Sequence, residues 1–490
     1  MWHNMKTKGL LKKVMHNIER LKLSLFLLAL FSLDIITACG GGGETEAGDS
    51  GTSLSIPVHE GSLLQVDSAN PRYFKDALGH AIYLTGFHSM SILDSGPTYP
   101  PPALDYVSYL DQLKDWNLNF LRLWRFTELT QFKYGTLLYY DQPHPWARTG
   151  PGTALDGKPK FDLNQFDQSY FDRLRSIVVA ARDRGIYVSV MLFEGHAMRF
   201  SKTPWNWSGH PMNINNNING VNGDTNGDGY GLETQTLSLP PGVDAIQKAY
   251  VRKVIDTVND LDNVLFEVCN ESGTYSKDWQ YSMANYIKSY EATKPKQHPV
   301  GITEFSDTLS DLTTSPADWI SPFGSTYRNN PPVADGSKVS IVDTDHIGAG
   351  DAFGNNWDLW NAFIWKNFTR GHNVIMYEES LTGRDGALVG MSDTLYYSRK
   401  MSLETMIPST TLCSTTYCLA NPGVEYLIYQ PSAGAFTLTL PSGTYYPQWF
   451  DPHHIAATVN GSSVSGGRTV TFTPPFNGSA VLYLTTMKTQ

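Results

Sequence analysis

Between about residues 80 and 380, short apolar runs alternate with stretches whose apolar residues recur at helical spacing. That alternation predicts strand–helix units around a parallel sheet, because a parallel strand needs a crossover to bring the chain back. The runs Ala81–Phe87, Asn117–Arg125, Ile186–Phe193, Val264–Val268, Pro299–Thr303, Trp319–Phe323, Val339–Val342 and Val374–Tyr377 read as strands. Between them lie helix patterns: Leu104–Trp116, the face Phe171, Leu174, Val178 and Ala181, the face Ile246, Tyr250, Val254 and Val258, and Trp357–Phe368. Ser392–Met406 reads as the last helix of the series. Eight strands in order favour a closed (β/α)8 barrel over an open doubly wound sheet, and no Gly-rich phosphate loop follows the first strand.

Beyond residue 406 the period shortens to two. Glu425–Tyr429, Ala435–Leu440, Tyr445–Phe450, Thr469–Thr473 and Ala480–Leu484 alternate and are separated by Gly, Pro and Ser. The chain therefore divides into a barrel over 56–406 and an all-β sandwich over 407–490. Pro204–Thr236 has neither period. A loop of that length on a barrel is usually functional, and this one joins strands three and four on the face where barrel active sites lie.

The N-terminus changes the picture of location. Lys6, Lys8, Lys12, Lys13, Arg20 and Lys22 precede the apolar run Leu23–Leu33, which is too short to span a bilayer and has the layout of a signal peptide. Residues 1–38 are read as that peptide and 39–55, nearly all Gly, Glu, Asp, Ser and Thr, as a flexible tether. The whole chain carries a formal charge of −10, and loss of residues 1–38 makes it more acidic. A nucleic-acid partner is thus excluded, since phosphate binding needs a basic face. Of the four cysteines, Cys269 sits in an apolar strand and reads as inert, whereas Cys413 and Cys418 flank a short polar loop and suggest a small structural disulfide.

In a barrel the reactive side chains stand at the C-terminal ends of strands. Strand four runs Val264-Leu265-Phe266-Glu267-Val268-Cys269-Asn270-Glu271. Alternation puts Glu267, Cys269 and Glu271 on one side. Strand seven runs into Asp343-Thr344-Asp345-His346 and strand eight into Tyr377-Glu378-Glu379. Strand one ends Phe87-His88, strand two ends Leu121-Arg122-Leu123-Trp124-Arg125, and strand three ends Phe193-Glu194-Gly195-His196. The bland alternatives are that Glu271 caps the next helix and that Arg122 belongs to an ordinary buried ion pair.

The Asn270-Glu271 pair at the end of strand four resembles clan A glycoside hydrolases, a large cellulase-like group of barrel enzymes. The resemblance implies that Glu271 is a catalytic acid/base, that Asn270 holds a sugar hydroxyl, and that Arg122 braces the nucleophile. The clan's strand-seven Glu is missing here. Asp345 takes its place as the expected nucleophile, with Glu379 second, or Glu378, if the strand count slips by one. His88, Trp124, Glu194, His196, Trp205, Asp343 and His346 complete the expected sugar site. Carboxylates about 5–5.5 Å apart give retention and about 6.5–9.5 Å inversion, so the shorter Asp leaves the outcome open, with retention as the clan's precedent.

Asn70-Pro71-Arg72-Tyr73-Phe74, Asp343-Thr344-Asp345-His346 and Arg370-Gly371-His372-Asn373 resemble more closely a bacterial set of cellulase-like and apiosidase-like glycoside hydrolases. Cys418-Leu419-Ala420-Asn421-Pro422-Gly423 and Phe472-Thr473-Pro474-Pro475-Phe476 resemble the collagen-binding-type β domain that often ends them, which is expected to serve here as scaffolding. Ile36-Thr37-Ala38-Cys39 resembles a lipobox, implying a lipid on Cys39 and anchoring to the bacterial cell envelope. Asp224, Asn226 and Asp228 resemble the first half of a calcium loop, the one cofactor suggested. The expectation is a monomeric, exported hydrolase of O-glycosidic bonds. The alternative is a surface glycan-binding lipoprotein that kept the barrel and lost a carboxylate. No His-Glu-x-x-His zinc motif or Gly-x-Ser-x-Gly elbow occurs, which ranks a protease last.

Overall fold

The computed structural model describes residues 62–488 except 126–129, 134–136, 197, 199–205, 304–307, 378–383 and 454–457. Eight parallel strands close into a barrel: β1 Thr85–Ser91, β2 Phe120–Trp124, β3 Tyr187–Glu194, β4 Val264–Asn270, β5 Val300–Ile302, β6 Trp319–Ile320, β7 Val339–Asp343 and β8 Asn373–Met376. The circle closes where Val374, Ile375 and Met376 pair with Thr85, Gly86 and Phe87. Strand count and order are those expected. The first strand is shorter at its start, because Ala81–Ile82 instead pairs antiparallel with Phe74–Lys75. Side-chain amides cause the break: Asn119 Nδ2 donates to the Tyr83 carbonyl at 2.9 Å, and Leu84 N donates to Asn373 Oδ1 at 2.8 Å.

Helices α1 Tyr106–Asp115, α2 Gln168–Arg182, α3 Val243–Val258, α4 Lys277–Glu291, α5 Leu309–Thr313, α6 Ser325–Asn329, α7 Trp357–Thr369 and α8 Asp385–Lys400 follow the strands in turn. Their starts are written in the sequence. Asp105, Asp167 and Asn356 accept hydrogen bonds from free backbone N–H groups of the first turns of α1, α2 and α7. On α2, Tyr170, Phe171, Leu174, Ile177, Val178 and Ala181 form the buried stripe. Among the described residues no helix is long and apolar enough to cross a membrane.

The N-terminal mouth of the barrel is plugged. Leu64, Phe74 and Ile82 of the small antiparallel sheet pack with Leu84, Phe120, Tyr187, Leu265, Trp319, Val339 and Ile341. With that end filled, the opposite mouth is where a site can open. Gly301 is required in this layer, because a Cβ there would fall 1.9 Å from the Trp319 ring.

Two insertions stand above the C-terminal mouth. After β2, Leu137–Gln142 pairs with Thr130–Lys133 and Asp94–Gly96, and Trp146–Ala147 pairs with Asp162–Phe166. The second lies within Pro204–Thr236 and is held by Asn side chains in place of a ladder. Asn217 Nδ2 donates to the carbonyls of Pro211, Asn213 and Val221, and Asn216 Nδ2 donates to those of Ser208 and His210. Trp207 is buried there, stacks on His210 at 4.8 Å, and joins the main apolar core of the barrel.

The C-terminal strands β9 Ile407–Ser409, β10 Cys418–Asn421, β11 Glu425–Gln430, β12 Phe436–Leu440, β13 Thr444–Phe450, β14 Thr458–Asn460, β15 Val464–Ser465, β16 Arg468–Phe472 and β17 Ala480–Thr485 form antiparallel sheets. One sheet packs on helices α7 and α8 through Trp365, Phe368, Leu395, Tyr397, Leu427, Tyr429 and Tyr483. Trp365 and Tyr429 stack at 6.1 Å. Barrel and sandwich are therefore joined through an apolar cluster of their own, distinct from the core inside each. Cys413 and Cys418 are free thiols and not the disulfide expected, Cys413 Sγ engaging Thr415 Oγ1 at 3.1 Å. Cys269 is fully buried, and burial pushes its thiol well up, as an inert residue requires.

Candidate active site

The site is built upward from a buried cation. Arg122 on β2 has five N–H donors, and the structure gives each an acceptor. Nε and NH2 bind the two Glu267 oxygens at 2.6 and 2.5 Å, and NH2 also reaches Asn270 Oδ1 at 2.7 Å. NH1 binds Asp343 Oδ2 at 3.0 Å and His88 Nε2 at 2.6 Å. His88 Nδ1 lies 2.6 Å from the same Asp343 oxygen. Burial, then the Arg122 charge, lowers the His88 pKa to about 4, so the ring is neutral near pH 7. The tautomer consistent with both contacts has Nδ1–H donating to Asp343 and Nε2 accepting from Arg122. Thr303, just past β5, donates to Glu267 Oε1 at 3.0 Å.

This layer holds one fixed positive charge and two carboxylates, none reaching solvent. Burial alone would raise Asp343, but His88, His346 and Arg122 beside it hold it well below the usual carboxylate range. The surplus negative charge acts on the next carboxyl outward. Asp345 is raised to about 7, first by burial and then by the charges of Asp343 and Glu271. Asp343 also fixes where Asp345 stands, since its Oδ1 accepts the Asp345 backbone N–H at 3.0 Å.

Glu271 faces Asp345 across the mouth. Its backbone has φ +44°, a left-handed conformation that costs a residue with a Cβ roughly 1–2 kcal/mol. Strand alternation lapses at this turn, which is why Asn270 reaches Arg122 although it has the opposite parity to Glu267. The turn is braced by β3. Gly195 N donates to the Asn270 carbonyl at 2.8 Å, and a Cβ on Gly195 would meet the Ser272 Cα at 2.4 Å. The Glu271 side chain is 13% exposed and lies 3.9 Å from His196 Nε2. One ligand atom each from Glu271, Asp345 and His346 lies within 4.8 Å of the others. His346 Nδ1 is hydrogen-bonded to Ser321 Oγ, just past β6, at 3.0 Å. His88, Trp124 and Tyr377 form an aromatic stack beside the pair, with centroids 4.9 Å apart for His88–Trp124 and 6.1 Å for Trp124–Tyr377.

The structure thus brings Glu271, Asn270, Asp343, Asp345, His346, His196, His88, Arg122 and Trp124 together. Three corrections follow. His88 is fully buried and holds Asp343 instead of lining the mouth. Arg122 braces Asp343, one step removed from Asp345. Glu194 is 1% exposed and lines a small buried cavity with Arg125, His210 and Gln235, while its Oε1 accepts the His196 N–H at 2.6 Å. Trp205, Glu378 and Glu379 lie outside the described residues. Thr303, Ser321 and Tyr377 escaped the sequence reading; each is the first residue past a barrel strand, and that position was their signal.

The expected calcium loop closes on its own hydrogen bonds. Asp224 Oδ1 accepts from Gly227 N at 2.8 Å, Asp224 Oδ2 from Gly229 N at 2.9 Å, and Asn226 Oδ1 from Asp228 N at 2.8 Å. Its shape does not require an ion.

A family model described as a domain of unknown function, DUF6298, matches residues 137–313, from the hairpin after β2 to the end of α5, and so includes Glu271. No curated protein sequence matches the chain. Among solved structures, a glycoside hydrolase family 5 protein from Bacteroides vulgatus ATCC 8482 superposes with TM-score 0.56 at 13% identity, over 86% of this chain and 93% of its own. A protein described as a glycoside hydrolase gives 0.55 at 12%, over 88% and 98%. A candidate glycoside hydrolase from the same Bacteroides strain gives 0.59 at 13%, over 88% and 83%. At these identities the likeness establishes the fold, an eight-stranded parallel barrel followed by antiparallel sheets.

Proposed function

We propose that this chain hydrolyses O-glycosidic bonds with retention, using Glu271 as acid/base and Asp345 as nucleophile. The observation that carries the reading is the pair of carboxylates facing each other at the open mouth, with oxygens within 4.8 Å. One oxygen of each within that reach supports the closer, retaining arrangement, in which the second carboxylate attacks directly. In the first step Glu271 gives its proton to the departing oxygen while an Asp345 oxygen bonds to the anomeric carbon. In the second, Glu271 takes a proton from water, whose oxygen displaces Asp345 and frees the sugar. Asn270 Nδ2, buried and without a partner among the described residues, is the donor for a hydroxyl beside the reacting carbon. Trp124 and Tyr377, the partly exposed rings of the stack, are the ones able to meet the sugar's C–H side. The signal-like residues 1–38 and Cys39 support action at the cell envelope, which palmitate labelling of wild type against Cys39→Ala tests.

One observation favours exchanging the two roles. Asp345, raised to about 7, is placed to hold a proton near neutral pH. A panel of 2-deoxy-2-fluoro glycosides with dinitrophenyl leaving groups separates the assignments. Peptide mapping is expected to find the trapped sugar ester on Asp345. An ester on Glu271 exchanges the roles. Glu271→Gln should lower turnover of unactivated glycosides by about 10²–10⁴-fold while sparing the first step with dinitrophenolate. Glycan binding without turnover of any substrate, unaltered in that variant, returns the reading to a surface binding protein.

A further inference from the structure

We propose that Glu271, Asp345 and His346 form a binding site for one divalent transition-metal ion of the zinc class, and that the ion closes the mouth to substrate. Three donor atoms, two carboxylate oxygens and an imidazole nitrogen, converge within 4.8 Å. Among the described residues no other group of three His, Cys, Asp or Glu side chains does so.

The second observation is the state of the imidazole. His346 is 8% exposed, and its Nε2 has no hydrogen-bond partner among the described residues. A buried ring nitrogen left unpaired is disfavoured, so it answers to something that binds there. Ser321 occupies Nδ1 at 3.0 Å, which leaves Nε2 as the coordinating atom and supplies the outer-shell contact that metal-bound imidazoles require.

The ligand chemistry selects the ion. Calcium and magnesium take six or more oxygens, whereas an imidazole with two carboxylates suits zinc, cobalt or copper, with a further position open to water. Bond lengths near 2.0–2.2 Å in a tetrahedron put ligand atoms about 3.4 Å apart. The side chains must therefore close by about 1.4 Å at most, within the reach of small side-chain torsions. Glu271 and Asp345 then share the ion instead of repelling each other. While they do, neither can meet a glycosidic oxygen or an anomeric carbon.

Coordination does not depend on the hydrolase reading; the block on turnover does. The test titrates the full chain with Co2+ at mildly alkaline pH and follows its visible d–d absorption. One ion per chain in a four- or five-coordinate environment is expected, displaced by Zn2+ and stripped by a chelator. His346→Gln and Asp345→Asn should each weaken binding by more than the roughly 10–100-fold that an outer-shell partner carries. His80→Ala, an imidazole paired with Asp76 ahead of the barrel and outside the site, should leave it unchanged. Circular dichroism checks the fold of each variant. Absence of a saturable band in wild type, or a band kept at equal affinity in both triad variants, overturns the proposal. Where a glycoside is turned over, Zn2+ should raise KM at constant kcat. Co2+ binding in a chain that hydrolyses nothing upholds the metal site and removes the hydrolase reading alone.

Discussion

Asp345 and Asp343 stand two residues apart, and the structure drives their acidities in opposite directions. Replacing Asp345 by Asn removes a carboxyl raised from 3.8 to about 7 by burial, Asp343 and Glu271. The folded chain therefore holds that proton more tightly than the unfolded chain does. The stability it contributes is complete below about pH 4, declines as the pH rises, and is gone above about 7. A shift of roughly three units at about 1.4 kcal/mol each sets a ceiling near 4 kcal/mol. Coupling to Asp343 and Glu271 and partial access to water reduce this to about 2 kcal/mol.

The assay is thermal unfolding of wild type and Asp345→Asn from pH 4.5 to 8, comparing the difference in Tm at each pH so that the rest of the protein's titration cancels. The variant should gain on wild type by a few degrees across that range, with most of the gain between pH 5 and 7. Asp343→Asn supplies the opposite sign. Its carboxyl is held low, so its contribution is present above about pH 4 and lost only below that; at neutral pH the variant leaves Arg122 short of an acceptor and should be less stable than wild type. A Tm difference for Asp345→Asn that does not change with pH refutes the claim that this carboxylate is strained by its neighbours.

Glu271→Gly should be more stable than Glu271→Ala by about 1 kcal/mol, since only glycine adopts φ +44° without strain; the reverse order in Tm would remove the strain argument. Arg122→Met leaves Glu267 and Asp343 buried without their cation, and a loss of about 3–5 kcal/mol is expected in Tm or in soluble yield; Arg122→Lys should rescue little, because an ammonium cannot supply five donors in a plane. Gly195→Ala must push against Ser272, so the Glu271 turn should shift, seen as lost turnover and lost Co2+ binding in a protein that still folds.

The barrel was legible because its signals are local and repeated. Apolar runs such as Ile186–Phe193 and Val264–Val268 are each one strand buried on both faces, and a parallel order follows from the helices between them. The place of Glu271, directly after a strand, was legible for the same reason. What could not be read depends on side chains meeting across the barrel. That Arg122 spends its donors on Glu267, Asp343, Asn270 and His88 requires four strands to be in register. Tyr83 and Leu84 look like strand, yet the distant amides of Asn119 and Asn373 claim their backbone groups. Cys413 and Cys418 have the spacing of a small loop disulfide, yet the two thiols stand as hydrogen-bonded neighbours and not as a bridge, which spacing cannot tell apart.

The same reasoning bears on the proposed role of Asp345, which follows strand seven where the resemblance expects a Glu. An Asp one methylene shorter and inside the strand would be swallowed by the Arg122 layer, and that is the state of Asp343, fully buried and ion-paired. On the proposed reading the nucleophile is instead Asp345, two residues onward, which stands past the strand end, so that backbone advance would replace the missing methylene. Asp343 then serves as the bracket, holding Asp345 by its N–H and raising its pKa by its charge. On this account Asp345→Glu should overreach toward Glu271 and lose turnover although it keeps the charge. Asp343→Glu should disturb the bracket, lowering turnover while shifting the pH profile. If Asp345→Glu were instead as active as wild type, backbone placement would not be what positions this carboxyl, and the pairing with Glu271 would need another explanation.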